Sequence, residues 1–158
     1  MREILFRGKA INRDYGCHRT NYKNGDWVYG LVTRLYDERF ENLPAEMTNV
    51  NGIEGIEVDY KTIGQYTGLT DKNGKKIFEG DMIKPFDDEI DKMVVEFCHG
   101  QFLLCLYGER GYMAEYGWEE SGNYGCFEAE PLSSYGDDIE VIGNIHDNPE
   151  LLGGNNNG

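Results

Sequence analysis

No run of apolar residues in this 158-residue chain comes near the ~18 needed to cross a bilayer as a helix, which excludes that kind of membrane protein. Proline is scarce, with four residues, and alanine occurs only at Ala10, Ala45, Ala114 and Ala129. So little of the best helix former argues against a helical bundle. Histidine is limited to three residues. The cysteines, Cys17, Cys98, Cys105 and Cys126, contain no Cys-x-x-Cys pair, so the commonest zinc spacing is missing. Basic residues nearly vanish from the second half. Residues 81–158 hold 3 Lys/Arg against 17 Asp/Glu, while residues 1–80 hold 12 of each, so one half carries the whole net charge of −14. A surface of that sign repels phosphates, and direct nucleic-acid binding is disfavoured.

Aromatic residues reach 13%, with 11 Tyr, and Gly contributes 21 residues. Aromatic and β-branched side chains fit a pleated surface, and Gly supplies tight turns. The expected fold is mainly β and antiparallel: a small barrel-like or strongly coiled sheet with short helical turns. One domain over 1–152 is expected, followed by a flexible tail at 153–158. The opening Met1-Arg2-Glu3 reaches charge too early for a secretory signal. The expected setting is therefore the cytoplasm, with the four thiols reduced.

Residues 2–7 read as a first strand. Asn24-Gly25 is a hairpin signal, and Trp27–Val32 reads as the returning strand. Residues 37–55 are poorly patterned, with a helical turn expected over Pro44–Val50. Ile56–Tyr60 alternates apolar and polar and reads as a strand with one solvated face. Asp71-Lys72-Asn73-Gly74 has type I turn chemistry followed by a Gly-bulge, and Gly80-Asp81 marks a second corner. Residues 87–92 read as an exposed acidic loop. Met93–Cys98 and Phe102–Tyr107 form a hairpin in which neither plausible register pairs Cys98 with Cys105. A short helix is expected near Tyr112–Glu119, a strand over Glu140–Ile145, and a closing turn at Asn148–Leu152 with Asn148 as its cap.

Four blocks carry a resemblance: Ile4–Lys9, then Gly25–Gly30, then Thr62–Lys84, above all its Gly64–Leu69 and Ile77–Asp81, and finally Val141–Ile145 with Asn148–Leu152. In these the chain resembles the YopX family of small phage and prophage proteins. Segments 12–23, 37–55 and 108–138 depart from the pattern. The resemblance implies a phage- or prophage-encoded, β-rich, oligomeric protein in a bacterial host cell, and it implies no reaction.

Candidate chemistry is thin. Cys17-His18 and Cys98-His99 offer Cys/His ligands, but neighbours in a strand point to opposite faces. Asp87-x-Glu89-x-Asp91 begins like a calcium loop, then has Lys92 and Cys98 where Gly and Glu are needed. No metal and no cofactor is expected. No nucleophile elbow or phosphate loop is present, and His146-Asp147 is a bare pair, so a non-enzymatic role is expected. The contact surface is expected at Gln65, Tyr66, Thr67, Asp71, Lys72, Asn73, Glu79 and Asp81, since Tyr suits interfaces and Lys72-Asn73 tops a turn. A subunit interface is expected at Tyr112, Tyr116 and Trp118. The partners expected are a second copy and a host or phage protein. Two other readings stand beside this one: an acidic mimic of nucleic-acid phosphates that occupies a basic host protein, and an uncharacterised enzyme.

Overall fold

Period-two alternation becomes a set of antiparallel strands in a computed structural model that describes residues 3–11, 21–35, 44–53, 55–84, 93–98, 100–106, 130–135 and 138–152. The chain divides into two compact units, Met1–Tyr66 and Thr67–Gly158. In the first unit lie Phe6–Ala10 (β1), Trp27–Arg34 (β2), Ala45–Asn49 (β3) and the start of Ile56–Thr70 (β4), which runs on into the second unit. β1 pairs with β2, β2 with β3 and β3 with β4, and β4 returns to β1. The four strands thus form a partial ring. It is not a barrel, because β1 is only five residues long and its ladder with β4 is broken between Arg7 and Lys9. At that break the Thr62 hydroxyl stands in for a missing carbonyl. It accepts the Lys9 N–H at 2.8 Å and donates to the Asp59 oxygen at 2.7 Å. The inward residues Ala10, Val28, Ala45, Met47, Ile56 and Val58 make the core.

Three local expectations need correction. The first strand is Phe6–Ala10, shifted onto Gly8-Lys9, because its partners on β2 and β4 begin there. Pro44–Val50 holds no helical turn. Ala45, Met47 and Asn49 are buried while Glu46 and Thr48 are half-buried, a strand alternation even though Ala45, Glu46 and Met47 intrinsically prefer helix. Pairing on both sides, to β2 and β4, overrides that preference. The strand read at Ile56–Tyr60 is longer than expected and runs through to Thr70.

In the second unit, Lys76–Phe78 (β5) lies beside β4. Asp81–Lys84 (β6), Met93–Cys98 (β7), Gln101–Leu106 (β8), Glu130–Pro131 (β9) and Glu140–Asn144 (β10) form the other sheet, in the order β10-β6-β7-β8-β9. Ile77, Ile83, Met93, Val95, Leu104, Leu132, Ile139 and Val141 pack as its core. The β7–β8 hairpin puts Cys98 opposite Gln101 and Val94 opposite Cys105. Its turn needs Gly100 at φ 82°. Cys98 and Cys105 are free thiols, as the register requires. Pro149–Leu152 is a 3₁₀ turn. The Asn148 side-chain oxygen reaches back to the Asn144 N–H at 3.3 Å, across a space that Gly143 leaves open. The expectations for residues 87–92, Tyr112–Glu119, Cys17-His18, His99 and 153–158 lie outside the described residues.

Candidate interaction surfaces

The expected contact residues turn out to be unequal. Gln65 is half-buried on β4 and Tyr66 is buried, its N–H bound to the Leu5 oxygen at 2.8 Å. Thr67 is buried as well. Its hydroxyl donates to the Ile77 oxygen at 2.9 Å and accepts the Leu69 N–H at 3.1 Å. Asp71 is 4% exposed and is the centre of the following turn. Its Oδ1 accepts the N–H groups of Asn73 (2.8 Å) and Lys75 (2.9 Å), while its Oδ2 accepts the Val141 N–H (3.2 Å), 70 residues away. Burial alone raises the Asp71 carboxyl. The N–H groups of Lys75, Val141 and Asn73 outweigh it and hold the carboxyl below its ordinary value. Lys72 adds an N–H bond to the Ile139 oxygen at 3.0 Å and an exposed ion pair with Glu140 at 2.6 Å. The predicted type I turn with its Gly-bulge is present, closed by Gly74 N–H to Asp71 oxygen at 2.8 Å, with Gly74 at φ 78°.

Asp81 is 1% exposed and accepts the Phe78 N–H at 2.8 Å across the Glu79-Gly80 corner. The block most typical of the resemblance therefore clamps the backbone. Thr67, Asp71 and Asp81 face inward, and Gln65, Lys72, Asn73 and Glu79 keep some exposure. The same holds near the C-terminus, where the Asn144 side-chain oxygen accepts the N–H groups of His146 and Asp147 and its amide donates to the Asp147 carboxylate at 2.8 Å. His146-Asp147 sits in this knot.

A surface not singled out from the sequence lies on the outer face of β2. Strand alternation puts Trp27, Tyr29 and Leu31 on that face, opposite Val28 and Gly30. Tyr29 is 39% and Leu31 50% exposed, and Val50, bonded through its N–H to the Tyr29 oxygen, is 68% exposed. Across the ladder, Arg7 and Lys9 stand opposite Tyr29 and Trp27, and both cations lie over the Trp27 ring, at 4.7 and 5.4 Å from its centroid. The signal was legible as apolar residues on both faces of one strand, which an ordinary half-buried strand does not need. Tyr112, Tyr116 and Trp118 lie outside the described residues.

Among the described residues no group of three His, Cys, Asp or Glu side chains is placed to hold a metal ion, and no helix is long and apolar enough to cross a membrane. Among the described acidic residues of the second half, Asp81 is buried, Glu96 is half-buried, Glu140 pairs with Lys72 and Asp147 is tied to Asn144, while Asp138 and Glu150 are exposed.

Two small antiparallel β units, pinned by turn carboxylates and asparagines, define a β scaffold whose β2 carries an exposed aromatic and aliphatic face. The profile of the YopX protein family matches residues 13–153, and the chain belongs to that family. No curated protein matches it. Among solved structures it is similar to protein EF1440 from Enterococcus faecalis, with 25% identity over 96% of this chain and 99% of that one, at a TM-score of 0.46.

Proposed function

We propose that this protein is a phage- or prophage-encoded, non-enzymatic assembly module of the bacterial cytoplasm that works as a homo-oligomer. The observation that carries this reading is the exposed Tyr29–Leu31 face of β2 with Val50 beside it. Contiguous exposed apolar side chains mark contact surfaces in small soluble domains. The occupant is a second copy of the chain. Residues 1–66 carry nine Lys/Arg against ten Asp/Glu, so an interface built on this unit sets two nearly neutral surfaces together, whereas one built on residues 81–158 would oppose like charges.

Sedimentation equilibrium tests the reading. The native chain is expected to sediment above the monomer mass at micromolar concentrations. The double variant Tyr29→Ser/Leu31→Ser is expected to dissociate at least about tenfold more readily, since each side chain contributes on the order of 1 kcal/mol or more. A native chain that stays monomeric throughout, or a double variant that associates equally well, overturns it.

A further inference from the structure

The outward row of β2 runs between two charged ends. Directly opposite residues of an antiparallel pair share a face. On the β1 side, Lys9 stands opposite Trp27 and Arg7 opposite Tyr29, and both cations lie over the Trp27 ring, at 5.4 and 4.7 Å from its centroid. Arg7 is buried and Lys9 half-buried, so Lys9 is the cation that a partner can reach. On the β3 side, Thr48 stands opposite Leu31 and Glu46 opposite Arg34, and Glu57 of β4 stands opposite Glu46 in turn. Glu46, Thr48 and Glu57 are outward positions, since their neighbours Ala45, Met47, Ile56 and Val58 point into the core. One opposing charge tempers each end. Asp59 stands opposite Lys9, with its Oδ1 on the Lys61 N–H at 3.0 Å, and Arg34 reaches Glu46 at 3.3 Å. The groups named at the Trp27 end thus keep one positive charge in excess, and those at the Arg34 end keep one negative charge. At ordinary strand rise the two ends lie roughly 20 Å apart. Salt screens charges over about 8 Å at physiological ionic strength, so the ends do not neutralise each other within one copy.

A face with a positive end, an apolar middle and a negative end is complementary to a second copy of itself. A two-fold axis lying in the interface, through the Tyr29–Leu31 middle and at right angles to the line from Lys9 to Glu46, carries each end onto the opposite end of the other copy. We propose that two copies pair by this symmetry, with Tyr29 and Leu31 at the centre and Lys9 of each copy against Glu46 and Glu57 of the other; the pairing rests on the self-association through β2 proposed above. The apolar centre supplies affinity. The charged ends fix the orientation, because a copy turned the other way sets like charges together. Two-fold symmetry makes the Lys9–Glu46 contact twice, so one substitution acts at both ends of the interface.

Sedimentation equilibrium of charge-exchange variants tests the pairing. The native chain is expected at the mass of a dimer at micromolar concentrations. Lys9→Glu and Glu46→Lys, each alone, are expected to raise the dissociation constant about tenfold, since each sets like charges together twice. Combined in one chain, they are expected to return it to within about threefold of the native value, because the exchanged pair attracts again. An equimolar mixture of the two single variants is expected to form a mixed dimer for the same reason. Residues so far apart within one copy do not couple, so compensation reads a contact between copies. Salt reads the same charges without any substitution: the native dissociation constant is expected to rise about threefold or more between about 50 and about 500 mM NaCl. Suppose the native chain is a dimer. Single variants that associate like it, a double variant no tighter than the singles, or association indifferent to salt then overturn this pairing and leave β2 as the interface. A native chain that stays monomeric overturns the β2 interface and the pairing with it.

Discussion

Gly30→Ala is expected to break the first unit, lowering its stability by about 3 kcal/mol or more. Gly30 lies on β2 between Phe6 of β1 and Asn49 of β3. A Cβ at this position would stand 1.9 Å from the Thr48 oxygen and 2.8 Å from the Asn49 Cα, both backbone atoms. A backbone cannot rotate aside as a long side chain can, so the strands must part and their ladder must loosen. The cost comes from close approach of the strands, since Gly30 has no positive φ. Gly8→Ala supplies the graded comparison. There the Cβ would meet the Met47 sulfur and the Val58 side chain at 3.2 Å, groups able to shift by tenths of an ångström, and about 1 kcal/mol is expected. Urea unfolding of both variants measures the ratio. Equal midpoints for Gly30→Ala and the native chain would show that β2 and β3 are not packed as closely as described.

Asp71→Ala is the second large effect, with an expected cost of about 2–4 kcal/mol. The substitution leaves three N–H groups without their acceptor, and the Val141 N–H among them is buried. Asp71→Asn separates two roles of one side chain. Its amide oxygen can still serve Asn73 and Lys75, so the turn is retained. Its NH₂ group then faces the Val141 N–H, donor against donor, and the tie to β10 is lost at about 1–2 kcal/mol. The pH dependence has a definite sign. Asp71 is held below its ordinary value, so its contribution is complete above the unfolded value and disappears as pH falls through the lower folded one. Native protein is expected to lose stability in acid over that window, while Asp71→Asn lacks this component. Thermal unfolding of both chains at a series of acid pH values checks it. Parallel curves would exclude Asp71 as the group responsible.

The antiparallel β class, the Asp71–Gly74 turn, the hairpin at Cys98 (though not which of its two registers) and the closing turn at Pro149 were all legible in order along the chain. Each rests on a contact between near neighbours: a Gly needing φ near 80°, an Asp accepting N–H groups two and four residues on, or an alternation of apolar side chains. β3 was hidden because Ala45, Glu46 and Met47 carry helical preference and only their pairing with β2 and β4 makes them a strand. Which of the expected contact residues face solvent was only half legible. Lys72 and Asn73 crown the turn as expected, but Thr67, Asp71 and Asp81 point inward, and a list of polar residues in a turn cannot say which way each one faces.

The concentration of negative charge in residues 81–158 needs no coordinates. The sequence by itself also determined family, strand class and the local turns, since these depend on interactions over a few residues. Tertiary structure alone decided that Asp71 reaches Val141, that β4 returns to β1 and that Tyr29 and Leu31 face outward. Each of those joins strands whose separation along the chain carries no local signal. Which of two alternating faces is covered depends on the strands that arrive later to cover it.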